Sequence, residues 1–175
     1  MDKLENQPCP FCGKNTLTLT EDEAEIPYFG NVFIFGMVCD NCKYSKSDVE
    51  CEEMKDPTRY TLMIEKEEDM NIRVVKSSTA TVRFPGLRMS VEPGADSEGF
   101  VSNVEGVIKR FEEIVEKERD LADEEDVRKS AKNLLKKIRK VKFGELPTKL
   151  IIEDPSGNSA IISEKAVLEK LKVKK

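Results

Sequence analysis

The segments Cys9-Pro10-Phe11-Cys12-Gly13 and Cys39-Asp40-Asn41-Cys42-Lys43-Tyr44 each carry a Cys-x-x-Cys pair. Such a turn sets two sulfurs on one side of a tight loop, so both reach a single ion at about 2.3 Å. Two turns complete a tetrahedron, and Cys9, Cys12, Cys39 and Cys42 read as the ligands of one Zn²⁺. Four thiolates leave no position for an activated water, which makes the ion structural. A redox Cys-x-x-Cys occurs once, beside a βαβ pattern, and neither condition holds here. Gly13 suits the position after the first pair, where the chain turns sharply and positive φ is cheap.

Between the pairs the sequence reads strand, loop, strand. Thr16 to Thr20 alternates, and Val32-Phe33-Ile34-Phe35 leads back towards Cys39. A hairpin would bring the second knuckle to the first, as in a zinc ribbon. The gap exceeds the usual range of about 15–20 residues, so the spacing predicts an enlarged loop from Glu21 to Asn31. Cys51 follows in an acidic stretch and reads as an unpaired, partly buried small residue.

Outside the ribbon, charged residues and Pro57 mark a boundary, giving a module over residues 1–52 and a larger domain over 53–175. Three strand-like runs follow from Tyr60 to Phe84, and Leu87, Met89 and Val91 share one face of a fourth. The period then becomes helical. Val104, Val107, Ile108, Phe111, Ile114 and Val115 form one stripe, opened by a capping box at Ser102-Asn103-Val104-Glu105. Val127, Ala131, Leu134, Leu135, Ile138 and Val141 form a second, so a helical hairpin occupies about 103–141. Apolar strands flank the turn Asp154-Pro155-Ser156-Gly157-Asn158, and Val167, Leu168 and Leu171 suggest a short closing helix. The class is α+β, mostly β.

Composition narrows the chemistry. The 175 residues include no histidine, which removes the commonest general base and catalytic metal ligand; the expectation is a binding protein, not an enzyme. No apolar run approaches a membrane span of about 20 residues, and the N-terminus lacks signal-peptide form. The expected location is the cytoplasm, where paired cysteines point to metal before disulfides. Residues 1–50 hold four lysines, no arginine and nine acids, which opposes nucleic-acid binding through the ribbon. The second helix is basic (Arg128, Lys129, Lys132, Lys136, Lys137, Arg139, Lys140); a phosphate-binding strip is one use of that charge, and pairing with Glu112, Glu113, Glu116 and Glu118 of the first helix is the expected one. Lys76 reads as a solvated strand residue and Glu105 as part of the helix cap.

Taken together, the cysteine pairs with Ile26-Pro27-Tyr28-Phe29, Val74-Val75-Lys76-Ser77, Val104-Glu105-Gly106 and Asp154-Pro155-Ser156-Gly157-Asn158-Ser159 resemble the ZPR-type zinc-finger proteins, in the short single-unit form typical of archaea. The resemblance covers nearly the whole chain. It implies a zinc ribbon followed by a double-stranded β-helix (cupin-like) domain with a helical-hairpin insertion. It also implies a partner, translation elongation factor 1-alpha, which eukaryotic relatives bind and help to fold. Tyr28 and Phe29, aromatics in the ribbon loop, are the candidate partner contacts; packing of the ribbon against the larger domain is the competing use. Nucleic-acid binding by the ribbon is the alternative function.

Overall fold

Glu21, Glu23 and Glu25 point to solvent while Asp22, Ala24 and Ile26 turn inward, and this alternation decides the shape of the ribbon. The expected enlarged loop is absent. The computed structural model describes residues 1–27, 29–52 and 55–172, and in it the acidic stretch continues one long strand. β1 (Asp2–Pro8), β2 (Asn15–Ile26), β3 (Gly30–Cys39) and β4 (Ser45–Cys51) form a four-stranded antiparallel sheet in sequence order. β2 and β3 pair without a break from Leu17↔Cys39 to Ile26↔Gly30. The extra residues between the knuckles lengthen the hairpin arms, because the acids occupy only the solvent face of a period-two pattern.

The larger domain follows with β5 (Thr58–Ile64), β6 (Arg73–Lys76), β7 (Thr81–Phe84), β8 (Met89–Val91) and β9 (Phe100–Asn103). Helices α1 (Val104–Leu121) and α2 (Glu125–Lys142) come next, then β10 (Thr148–Asp154), β11 (Ala160–Ile162) and β12 (Val167–Lys170). Among the described residues one sheet runs β12-β5-β10-β7-β8 and the other β11-β6-β9. The closing segment is thus a strand, not the expected helix. β12 finds an open edge in β5, pairing Val167↔Thr61 to Lys170↔Thr58, and that edge overrides a short helical pattern.

Between the sheets lies the main core, including Leu62, Ile64, Val74, Val82, Phe84, Leu150 and Ile152. The inner stripe of α1 covers it, with Phe111 meeting Phe84 edge to face at 5.1 Å, while Ile138 and Val141 of α2 pack from the side. Ile114 departs from the expected stripe and is exposed. The expected capping box does not form: Asn103 is the N-cap and its side chain accepts from the Gly106 N–H at 2.8 Å, but Gly106 at N3 has no side chain to return the bond. Leu87 belongs to a 3-10 turn ended by Arg88 at φ 55°, so the strand begins at Met89, and Val91 lies at the surface.

The Asp154–Ser159 turn carries the chain from one sheet to the other, since β10 and β11 belong to different sheets. Gly157 sits at φ 73°, and a Cβ there would come within 2.4 Å of the Asp56 carbonyl oxygen. Both the left-handed backbone and the backbone obstruction oppose any side chain. Gly157→Ala is expected to cost about 3 kcal/mol and lower the melting temperature by several degrees, read by thermal unfolding.

Ribbon and barrel share a second core of Ile26, Val32, Val49 and Val75, joined by Phe29, Val101 and Ile162. Polar contacts fix the same seam. Ser47 and Gly99 exchange hydrogen bonds, with Ser47 Oγ donating to the Gly99 carbonyl at 2.8 Å. The Asp48 carboxylate accepts from the N–H and hydroxyl of Ser78, and the Cys51 N–H donates to Asn158 Oδ1 at 3.3 Å.

Candidate metal centre and its surroundings

Each knuckle is built the same way. In the first, the Gly13 N–H donates to the Cys9 carbonyl at 2.9 Å and the Cys9 N–H to Lys14. In the second, the Lys43 N–H donates to the Cys39 carbonyl at 3.0 Å and the Cys39 N–H to Tyr44. Gly13 and Lys43 both take the left-handed backbone that closes the loop, at φ 68° and 61°. Lys14 Nζ bonds Asn41 Oδ1 at 2.9 Å, tying one knuckle to the other.

These turns bring the four sulfurs of Cys9, Cys12, Cys39 and Cys42 within 4.8 Å of one another. Two of the separations, Cys9–Cys42 and Cys12–Cys39, are 3.7 Å. Tetrahedral Zn–S bonds of about 2.3 Å require sulfurs about 3.8 Å apart, so the donor set fits zinc. The thiol chemistry agrees. The Cys42 N–H, with the Thr16 hydroxyl, draws the Cys39 thiol down to about 6. At Cys42 the Tyr44 N–H acts in the same direction, but burial and the neighbouring sulfurs prevail and push it up to about 12. Four thiols this close cannot all ionise alone; a divalent cation resolves the conflict by coordinating all four as thiolates. Cys51 is half-buried and lies outside the cluster.

Beside the metal, the apolar support of the zinc end among the described residues is small: Cys9, Leu17 and Cys39 are buried, with Leu19, Met37 and Tyr44 partly buried against them. Phe11, between the first two ligands, is 70% exposed and stacks on Tyr44 with ring centroids 4.5 Å apart. Sequence reasoning passed over Phe11. The available signal was its position in the middle of a Cys-x-x-Cys loop, which faces away from the ion. Of the two ribbon-loop aromatics, Tyr28 lies outside the described residues. Phe29 packs on the shared core, with Lys55 Nζ 3.4 Å above its ring and bonded to its carbonyl at 2.7 Å.

Two further polar groups differ from expectation. Lys76 is no solvated strand residue but 5% exposed, its ammonium donating to the carbonyls of Ser77 and Glu98 and to Ser97 Oγ. Burial lowers its pKa, and the contacts bind the Ser97–Glu98 loop to β6. Asp154, fully buried, accepts at Oδ1 from Thr79 and from the Ser156 N–H and hydroxyl, and at Oδ2 from Ser77 and Ser159. Asn158 is likewise accounted for by its bond from Cys51. The motif around Asp154 is a structural hub.

A four-cysteine zinc ribbon joined to a two-sheet β-barrel with helices between its strands defines a zinc-finger protein. The ZPR1 zinc-finger domain matches residues 3–54 and the ZPR1 jelly-roll domain residues 68–175. This chain belongs to the ZPR1 family. An uncharacterized ZPR1-like protein of Methanocaldococcus jannaschii is 42% identical over 165 residues, 94% of this chain and 83% of that protein. One from Pyrococcus horikoshii is 42% identical over 167 residues, 93% of this chain and 75% of that protein. The protein named zinc finger chaperone zpr1 in Schizosaccharomyces pombe is 29% identical over 160 residues, 87% of this chain but 33% of that longer protein. The fold class and the single structural zinc expected from the sequence stand. Among the described residues no helix is long and apolar enough to cross a membrane.

Proposed function

We propose that this chain is a zinc-stabilised protein-interaction module that binds translation elongation factor 1-alpha in the cytoplasm and assists its folding. The observation that carries the reading is Phe11. An exposed aromatic on a knuckle fixed by two metal ligands, braced by Tyr44, loses little freedom on binding and suits the role of an interface anchor. The chaperone name of the fission yeast relative supports a protein partner. The reading makes the chain a binding protein, not an enzyme, because four thiolates close the metal's coordination shell and the sequence supplies no histidine. The ribbon is a poor nucleic-acid face, with nine acids against four lysines in residues 1–50.

Calorimetric titration of the zinc-loaded protein against the elongation factor, with GDP and with GTP, tests this. Saturable one-to-one binding is expected. Phe11→Ala should weaken it about 30-fold, the loss of a hot-spot residue, while zinc content stays the same. Unchanged affinity would remove Phe11 from the interface, and no binding in either nucleotide state would remove the factor as partner.

A further inference from the structure

Most of the basic charge of α2 does not pair with the acids of α1, although Arg128 lies close enough to Asp120 for its charge to favour that carboxylate. Of Glu112, Glu113, Glu116 and Glu118, Glu112 alone pairs across the hairpin, with Lys142 at 2.9 Å. Among the described residues, Lys129, Lys132, Lys136 and Lys140 make no ion pair, and Arg128 donates only to the Ala122 carbonyl. All five are exposed.

Their spacing places them on one side. Arg128, Lys132, Lys136 and Lys140 occupy successive rungs of a single i, i+4 row, and Lys129 lies beside it. The row points away from Ala131, Ile138 and Val141, which are buried, and extends about 18 Å at 1.5 Å per residue. Helix stability does not explain it. Like charges at i, i+4 repel. The helix dipole favours cations in the last turn but disfavours Arg128 and Lys129 near the start.

From this we infer that the outer face of α2 binds the phosphate backbone of a nucleic acid. The makeup of the face selects this partner over others carrying negative charge. The row includes no apolar side chain, whereas protein interfaces centre on apolar and aromatic anchors. A helix lying on a membrane inserts an apolar face, and that face of α2 is already committed to the core. A phosphate chain, with one charge per about 3.4 Å along each strand, needs only cations. The inference is independent of the elongation-factor reading, which concerns the acidic ribbon module.

The test is fluorescence anisotropy of a labelled 20-nucleotide single-stranded RNA of mixed sequence, with the intact zinc-loaded protein at 50 to 200 mM salt. With about four phosphate contacts, affinity should fall about 50-fold across that range and change little when the sequence is permuted. The Lys129→Gln/Lys132→Gln/Lys136→Gln/Lys140→Gln variant, checked for unchanged circular dichroism, should bind at least tenfold more weakly and lose most of its salt dependence. Absence of binding at 50 mM salt would overturn the assignment, as would an unaltered affinity of the folded variant. Displacement of the RNA by polyglutamate at equal charge concentration would also overturn it, in favour of an acidic polypeptide.

Discussion

Cys39→Ser is expected to abolish zinc binding and unfold the zinc end of the ribbon, leaving the rest of the ribbon docked. Cys39 is fully buried and its sulfur lies 3.7 Å from that of Cys12 and 3.3 Å from the Thr16 hydroxyl. Structural zinc supplies about 10–16 kcal/mol in finger peptides, comparable to or above the whole stability of a typical domain at about 5–15 kcal/mol. Little at this end replaces it: among the described residues Leu17 is the one buried apolar side chain beside the cysteines, with Leu19, Met37 and Tyr44 only partly buried around it. The far end of the hairpin rests on Ile26, Val32 and Val49 packed against Val75 of the barrel. Zinc per chain should therefore fall from one to zero. Amide-exchange protection should vanish around residues 9–20 and 36–45 while persisting near Val32 and Val49. Retained zinc, or retained protection at Leu17, would show that the ion is not held by this set.

Asp154→Asn should be the most damaging single change in the barrel. The carboxylate accepts five hydrogen bonds from four side-chain hydroxyls and one N–H, and an amide would turn two donors towards that shell of donors. Bonds to a charged acceptor contribute about 1.5–3 kcal/mol each before coupling between them. A loss of about 3–5 kcal/mol is expected for the cluster, about 10 °C or more in melting temperature. The pH dependence carries its own signature. Burial alone would raise the Asp154 pKa, but the hydroxyls of Ser159, Ser156, Ser77 and Thr79 hold it below the ordinary carboxylate value. A depressed pKa means that its stabilisation is present above the unfolded value of about 3.9 and is lost as pH falls through the folded one. Wild-type protein should lose stability between about pH 5 and its acid limit more steeply than Asp154→Asn. Equal slopes would mean that Asp154 is not ionised in the fold.

The zinc site was legible because its chemistry is local: Cys-x-x-Cys fixes two sulfurs by turn geometry alone, and a second copy fixes the rest. The helical hairpin was legible for a similar reason, as two stripes at 3.6-residue spacing need no distant partner to be recognised. The failures share a different cause. Glu21 to Ile26 looked like a loop because its acids were counted before their alternation, and β12 looked helical because the open edge of β5 that captures it lies far away in sequence. Lys76 and Asp154 could not be read as buried, since what buries them comes from the Ser97–Glu98 loop in one case and from residues some 75 positions distant in the other. Of the salt links expected between the two helices, Glu112 finds a partner only in Lys142 at the end of α2, while Lys129, Lys132, Lys136 and Lys140 turn outward.

The seam between ribbon and barrel has a consequence for how such proteins can be enlarged. Val49, Ile26 and Val32 are sealed by Val75, Val101 and Ile162, and Asp48 reaches across to Ser78. A ribbon copied without its barrel would carry a bare apolar flank, and a barrel copied without its ribbon would expose the matching one. The heritable building block is therefore the fused pair. A longer chain, such as the fission yeast protein of which this one spans 33%, would keep each copy's core closed if the unit were repeated as the whole pair.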